Sequence, residues 1–149
     1  MPLTRVTRTL AAPPERVWRV LADPHQQPRW FPRVRRVEAV DSSGWTQVMQ
    51  TAKGRGVRAD FRLLEEVRPS RLVWSQEVEG TPFGRILAEA QTTFVLSPGG
   101  DVNARSGSTE LVVELRQRLK GWARFAPFLF RGAARRQLDE ALDGLERAI

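Results

Sequence analysis

The 149-residue sequence contains no cysteine and no tyrosine, a single histidine, and only two lysines among its 24 basic residues. Without cysteine the chain can form no disulfide, no thiolate metal site and no cysteine nucleophile. One histidine excludes histidine clusters as metal ligands, and neither a Ser-His-Asp set nor a phosphate-cradling glycine loop is evident. The sequence therefore predicts no metal site, no cofactor and no catalytic residue.

Long apolar runs are also absent. The first ten residues, MPLTRVTRTL, hold no apolar core of signal-peptide length, and no run approaches the roughly 20 residues of a membrane span. We therefore expect a cytoplasmic protein without a transmembrane segment. The hydrophobic share of 41% and the charged share of 28% are ordinary for a globular protein, and the length predicts one domain over residues 1–149.

Alternation of apolar and polar residues predicts one antiparallel sheet. A first strand is expected at Thr4–Leu10, and period-two patterns from residue 34 onward predict six more. Turn signals rich in Gly, Pro, Asp and Ser separate these segments, and short loops of this kind join antiparallel neighbours. The six later strands are predicted at Arg35–Val40, Thr46–Thr51, Val57–Val67, Arg71–Glu79, Arg85–Leu96 and Asn103–Arg116.

Helices are predicted at both ends of this sheet. APPERVWRVLADP opens with prolines suited to a first helical turn, and a second short helix or turn follows, ending at Phe31-Pro32. The segment Leu119–Ile149 places apolar residues along one helical stripe. Pro127 leaves two alternatives: the main helix starts near Phe125 with the proline in its first turn, or a longer helix bends at the proline.

Together, the APPERVWRVLADP opening, the PRWFPRVRRVE segment and the FLFRGAARRQLDEALDGLERAI ending resemble the START-like helix-grip (SRPBCC) superfamily. The branch most similar to this chain contains polyketide cyclase/dehydrase and coenzyme Q-binding-type proteins. The resemblance implies an α+β fold in which a curved antiparallel sheet of about seven strands packs its concave face against a long C-terminal helix. It also implies a hydrophobic cavity between them, whose ligand fold-level similarity cannot identify.

The alternation of side chains along each predicted strand indicates which residues would line such a cavity. Large apolar side chains on the inner face either fill a core or wall a pocket, and small ones beside them favour a pocket. Polar groups on the same face would hydrogen-bond a ligand, although the arginine among them could instead lie at a frayed strand end. The predicted ligand-binding residues are Phe61, Trp74, Gln76, Ala88, Ala90, Thr92, Phe94, Arg105, Thr109, Leu111, Trp122, Phe125 and Leu129.

A basic stripe is predicted near the start of the last helix. Its members either form a solvated face or contact anionic lipid headgroups at the periphery of a membrane. A second arginine cluster surrounds Trp30 and Phe31, but these aromatic residues are expected to pack under the helix, which argues against nucleic acid as a partner. The stripe comprises Lys120, Arg124, Arg131 and Arg135, and Arg116 and Arg118 come just before it.

Three functions remain open from sequence. The favoured one is binding, and transport, of a hydrophobic or amphipathic small molecule such as a lipid, quinone or polyketide. The first alternative is a metal-free polyketide cyclase or aromatase that uses the same cavity by orienting a reactive chain. The second is a protein or RNA interaction module that acts through its basic surface.

Overall fold

A computed structural model of the chain describes residues 3–50, 53–99 and 107–149. Its strands are β1 Leu3–Leu10, β2 Val34–Glu38, β3 Gly44–Gln50, β4 Gly56–Val67, β5 Arg71–Glu77, β6 Leu87–Pro98 and β7 Thr109–Leu119. Its α-helices are α1 Pro14–Leu21, α2 Gln27–Trp30 and α3 Pro127–Ala148, and 3-10 turns span Pro24–Gln26, Pro82–Arg85 and Gly121–Phe125. Every predicted strand has a counterpart, and the α+β helix-grip prediction is confirmed.

All seven strands form one antiparallel sheet in the order β1-β7-β6-β5-β4-β3-β2. The first strand pairs with the last, for example Val6 opposite Val113, so that only β1 and β2 are edge strands. The face toward α3 is called the inner face here. It is apolar because alternate residues of each strand point to it, and α3 covers it with Leu138, Leu142 and Leu145.

The C-terminal helix is shorter than the stripe from Leu119 suggests. A 3-10 turn precedes it, and α3 begins at Pro127, whose missing N–H is not needed in a first turn. Gly121 has a φ of 63° and Ala126 a φ of −134°, which breaks continuity with β7. The alternative in which the main helix starts near Phe125, with Pro127 in its first turn, is therefore confirmed. The 22 residues of α3 span about 33 Å at about 1.5 Å per residue.

Arg8 ties the first strand to the last helix. Its guanidinium donates to Asp143 and lies 3.3 Å from a carboxylate oxygen of Glu146 and 3.6 Å from one of Asp139. Partial burial acts to lower the pKa of Arg8, but the hydrogen bond with Asp143 and the attraction of the three carboxylates raise it above its ordinary value. One end of α3 is thus fixed over β1 by charge as well as by packing.

Among the described residues, no helix has the length and apolar content needed to cross a membrane.

Candidate functional site

A cavity of about 330 Å³ lies between the inner face of the sheet and α3. Strands β3 to β7 form its floor, and α2 and α3 form its roof. Its walls are mostly aliphatic and aromatic, interrupted by a few neutral polar groups. The lining residues are Trp30, Phe31, Gln47, Met49, Phe61, Trp74, Gln76, Ile86, Leu87, Ala90, Thr92, Phe94, Val113, Leu115, Gln117, Phe130, Ala133, Gln137, Leu138, Ala141 and Leu142.

Aromatic rings form a connected wall on one side of this cavity. The ring of Trp74 is centred 4.8 Å from that of Phe94, 5.1 Å from that of Trp45 and 6.3 Å from that of Phe61. Trp30, from α2, meets Phe94 edge to face at 6.5 Å. Tilted and edge-to-face contacts of this kind are the favoured geometries of aromatic pairs, so the wall holds a defined shape.

Small side chains explain why the space above this wall stays open. Ala90 lies at the centre of the floor, where it pairs with Gln76 on β5 and Gln117 on β7. Opposite it, α3 contributes Ala133 and Ala141 to the same cavity. Because small residues face each other across the gap, the helix and the sheet do not interlock there as they do at Leu145, which is 0% exposed and outside the cavity lining.

Three residues of this otherwise apolar lining carry a buried polar atom that has no partner among the described residues. Gln47 is 0% exposed; its Nε2 donates to Oε1 of Gln27 over 2.7 Å, while its own Oε1 has no partner among the described residues. The Nε1 of Trp30 and the Oε1 of Gln117 are likewise buried without partners. An unsatisfied buried polar group costs about 1–3 kcal/mol. The residues of the lining therefore hold two amide oxygens and one indole N–H whose hydrogen-bonding capacity is not used by the described residues.

The lining of the cavity carries no charged side chain among the described residues. An ionised ligand group would lose its hydration there without gaining a counter-charge, which is strongly unfavourable. The described residues also contain no cluster of His, Asp or Glu that could hold a metal ion. The geometry supports binding by apolar burial and neutral hydrogen bonds.

Charged side chains lie at the rim of the cavity, in an adjoining groove. A wider groove of about 510 Å³ adjoins the cavity and shares Met49, Ala133 and Gln137 with it. Its remaining lining includes Arg33 and Arg136 as well as Glu140, Pro32, Gln50 and Val57. A ligand seated in the cavity could therefore extend a polar end toward this groove.

Six of the predicted ligand-binding residues lie together in the cavity wall. β4 and β5 position Phe61, Trp74 and Gln76, and β6 positions Ala90, Thr92 and Phe94. Their common side follows from strand parity, because Trp74 pairs with Thr92 and Gln76 with Ala90.

Three other predicted residues are placed away from the cavity. Thr109 and Leu111 are 0% exposed beyond one end of it, where the Thr109 hydroxyl donates to the carbonyl oxygen of Ala12 over 2.7 Å. Ala88 lies where the β6–β7 register shifts between Leu87 and Glu89, and Leu87 takes its place in the lining. Arg105 lies outside the described residues.

The expectation that Trp122, Phe125 and Leu129 point inward is corrected. These side chains are 63%, 78% and 56% exposed. Trp122 and Phe125 lie in the 3-10 turn before α3 and Leu129 lies in its first turn, whereas the buried stripe of the helix begins at Ala134. Phe130 is the residue of this segment that reaches the cavity.

The sequence analysis did not predict Gln117, Gln47 or Gln27, the hydrogen-bond partner of Gln47. Gln117 continues the inward parity of β7 by one step beyond Leu115, so extending the predicted strand past Arg116 would have found it. Gln47 lies in a run from Gly44 to Gln47 that is buried throughout, where alternation gives no signal.

Comparisons with known proteins agree with this geometry. The family described as polyketide cyclase / dehydrase and lipid transport matches residues 1–149. No curated protein matches the chain.

Solved structures share the fold at low sequence identity. A START superfamily protein from Mycobacterium smegmatis superposes with a TM-score of 0.78 at 16% identity, covering 99% of this chain and 96% of its own. A protein from Thermus thermophilus gives 0.72 at 23% identity, with 98% and 95% coverage. The di-domain ARO/CYC BexL from the BE-7585A biosynthetic pathway gives 0.77 at 23% identity, covering 99% of this chain and 46% of that one.

Proposed function

The chain belongs to the polyketide cyclase/dehydrase and lipid transport family, whose START-like helix-grip fold binds hydrophobic ligands, and on that premise we propose that it binds a neutral, ring-containing or acyl small molecule such as a quinone, polyketide or lipid. The volume of about 330 Å³ lies near the lower end of the range for ligand pockets, which favours one compact group rather than a bulky lipid body. Apolar burial supplies the affinity.

The observation that carries this proposal is the pair of unpartnered polar atoms on Gln47 and Trp30 in an aromatic cavity. A ligand hydroxyl would donate to Oε1 of Gln47, and a ligand carbonyl or ether oxygen would accept from Nε1 of Trp30. Each contact would satisfy a buried group that has no partner among the described residues, which favours a ligand with matching polar atoms. A purely aliphatic ligand would leave both costs in place.

The test begins with the bound compound. Protein purified without detergent is extracted with organic solvent, and the extract is examined by mass spectrometry. Independently, fluorescence of the W122F variant, in which the four remaining tryptophans are all buried, is titrated with quinones, phenolic polyketides and neutral acyl lipids. We expect an extracted hydroxylated or carbonyl-bearing compound, or saturable quenching by one of the three classes. Neither an extract nor quenching by any class would overturn the proposal.

A matched pair of variants locates the binding. Gln47→Leu removes the cavity acceptor, while Thr46→Val removes a hydroxyl on the opposite face, where Thr46 donates to Asp60 over 2.6 Å. We expect Gln47→Leu to weaken binding of a hydroxylated ligand by about tenfold, and Thr46→Val to leave it within about twofold. Equal effects of both would show that the ligand does not contact Gln47.

A second candidate, a cyclase or aromatase, is favoured by the likeness to the ARO/CYC structure together with the Gln76–Ala90–Gln117 row on the cavity floor. Two amides flanking a small residue could fold and orient a poly-β-ketone chain without a charged base. Turnover of such a substrate, lost in Gln76→Leu and in Gln117→Leu, would support the enzyme. Tight binding without turnover would support a carrier.

We propose further that the chain transports this ligand within the cytoplasm. Such a carrier must exchange its ligand with a lipid surface or with another protein. The expected contact with an anionic membrane belongs to this carrier role.

A further inference from the structure

The segment before and at the start of α3 exposes an unusual amount of apolar surface. Other exposed large hydrophobic residues in the described part of the chain lie on the strands, such as Leu64 and Val95. Contiguous exposed apolar side chains mark contact surfaces, whereas single ones need no explanation. The apolar patch is defined as Trp122, Phe125, Phe128 and Leu129, which are 63%, 78%, 67% and 56% exposed.

The whole net charge of the protein is carried by the segment that contains this patch. Residues 115–138 hold seven of the 24 bases and none of the 17 acids, which leaves 17 bases and 17 acids in the rest of the chain. Among the described residues, none of the seven has a carboxylate within 4.0 Å, in contrast to Arg8 and Arg58 elsewhere. The seven are Arg116, Arg118, Lys120, Arg124, Arg131, Arg135 and Arg136.

The apolar patch and the bases are interleaved. The guanidinium carbon of Arg124 lies 5.5 Å from the ring centre of Phe125, a cation–π arrangement that leaves both side chains at the surface. Beneath them, Ala123 is 0% exposed and packs with Leu119 and Leu87, which anchors the turn to the sheet.

This surface is continuous with the cavity. The ring of Trp122, in the apolar patch, is centred 5.8 Å from that of Phe130, and Phe130 lines the cavity. The ring of Trp122 is therefore exposed at the surface, and the ring of Phe130 beside it lines the cavity. A molecule leaving the cavity past Phe130 would emerge beside the apolar patch.

We propose that the apolar patch, with the bases around it, docks on an anionic phospholipid surface. Aromatic residues are favoured at the headgroup level of a bilayer, and arginine and lysine nearby are attracted to anionic headgroups. A segment with seven bases, no acids and four exposed apolar side chains matches both requirements at once. The proposal deepens the carrier role by naming the surface where the ligand is exchanged, but docking can be measured with no ligand present.

The test uses the full chain and phospholipid vesicles. Trp122 is the exposed one among the five tryptophans, since the other four are at most 5% exposed, so a blue shift of emission reports its insertion. We expect flotation with phosphatidylcholine vesicles containing about 30% phosphatidylserine to exceed that with phosphatidylcholine alone by at least about tenfold at low salt. Phe125→Ser/Phe128→Ser and Arg118→Gln/Lys120→Gln/Arg124→Gln should each lower it by at least about tenfold.

Matched controls remove the same side-chain types from other surfaces. Leu64→Ser/Val95→Ser and Arg16→Gln/Arg19→Gln/Arg35→Gln change exposed residues far along the chain from the patch and should leave flotation within about twofold. Four results would overturn the proposal: no flotation with anionic vesicles, equal loss in the controls, salt-dependent RNA binding without vesicle binding, or a dimer that Phe125→Ser/Phe128→Ser dissociates. Ligand extraction and quenching, which use no vesicles, decide the proposed function separately.

Discussion

At the scale of single residues, two buried glutamines form a hydrogen bond at the cavity wall, and one of them, Gln47, belongs to the lining. Gln27, at the start of α2, is 1% exposed and accepts from Gln47, which is 0% exposed on β3. The bond holds the Gln47 amide in place, while its Oε1 has no partner among the described residues. Polar groups this deeply buried are usually satisfied, which is why the proposed ligand contact is placed at this atom.

A double-mutant cycle tests this pairing. Gln47→Leu should cost about 1–3 kcal/mol of the free energy of unfolding, because Gln27 then loses its buried partner. Gln27→Leu/Gln47→Leu should recover most of that loss, since replacing both partners by apolar groups is nearly neutral. Urea denaturation of the wild type, Gln27→Leu, Gln47→Leu and the double variant gives the coupling free energy. Additive losses would show that the two amides do not depend on each other.

Asp41 makes a pH-dependent contribution to the turn before β3. A hydrogen bond from the Ser43 hydroxyl, with others from the backbone N–H groups of Ser43 and Gly44, holds the pKa of Asp41 below its usual 3.8. Because the folded-state pKa is lowered, the stabilisation is complete above the unfolded value and is lost as the pH falls through the folded value.

Asp41→Asn should therefore lower the urea midpoint most near neutral pH, and the difference from wild type should shrink as the pH falls below about 3.8. The midpoint is measured for both proteins at several pH values. Ser42→Ala, in the same turn and also exposed, is the control and should leave the pH dependence unchanged. A difference that stays constant with pH would contradict the titration of Asp41 as its cause.

Whether a cavity residue could be predicted from the sequence depends on the strand or helix that carries it. Gln76 and Thr92 could be nominated because their strands alternate cleanly, so that the inner face can be read from parity. Gln47 could not, since its strand is buried on both faces from Gly44 to Gln47 and alternation gives no signal there. Its partner Gln27 comes from a four-residue helix, and no sequence period links the two.

At the scale of elements, α3 approaches α2 through a glycine. A Cβ added at Gly144 would stand 2.3 Å from the carbonyl oxygen of Trp30, whereas one added at Gly132 would meet nothing within 4 Å. The helix therefore lies directly against the backbone of Trp30, whose ring meets Phe94 edge to face at the cavity. At Gly132, by contrast, a side chain would point into open space.

Alanine at these two positions should act in opposite directions. Gly144→Ala forces α3 away from a backbone atom and should cost about 1–3 kcal/mol of the free energy of unfolding. Gly132→Ala should stabilise by about 0.5–1 kcal/mol, because alanine is the better helix former. Urea denaturation compares the two. Stabilisation by both would mean that α3 does not rest on Trp30.

The elements themselves were largely readable from sequence, and their irregularities were not. Alternation located the strands, and Pro127 allowed the observed helix start as one of two alternatives. The register shift at Leu87/Glu89 was invisible, because a bulge is defined against the partner strand and leaves no fixed sequence period. That shift is why Ala88 was expected in the lining and Leu87 is found there.

At the scale of the whole molecule, two alanines on the inner face separate a hollow from a solid interior. Ala90 is 6% exposed and lies on the cavity floor, while Ala59 is 0% exposed within the packed core beside Trp45 and Phe61. Both are alanines on strands of one antiparallel sheet, so they differ mainly in whether space lies above them. A protein that reserves volume for a guest accepts a less tightly packed interior there than its residues could form.

Leucine at these positions should give opposite outcomes. Ala90→Leu should leave the free energy of unfolding within about 1 kcal/mol, or raise it, because the added methylenes enter open volume; Ala59→Leu should cost about 1–3 kcal/mol by overpacking. Ligand binding should be lost in Ala90→Leu although that protein stays folded, which a stability defect could not explain. Thermal unfolding and tryptophan quenching measure the two effects. If Ala90→Leu destabilised the fold as much as Ala59→Leu, the interior would be closed, and the chain would have to act through its basic surface instead.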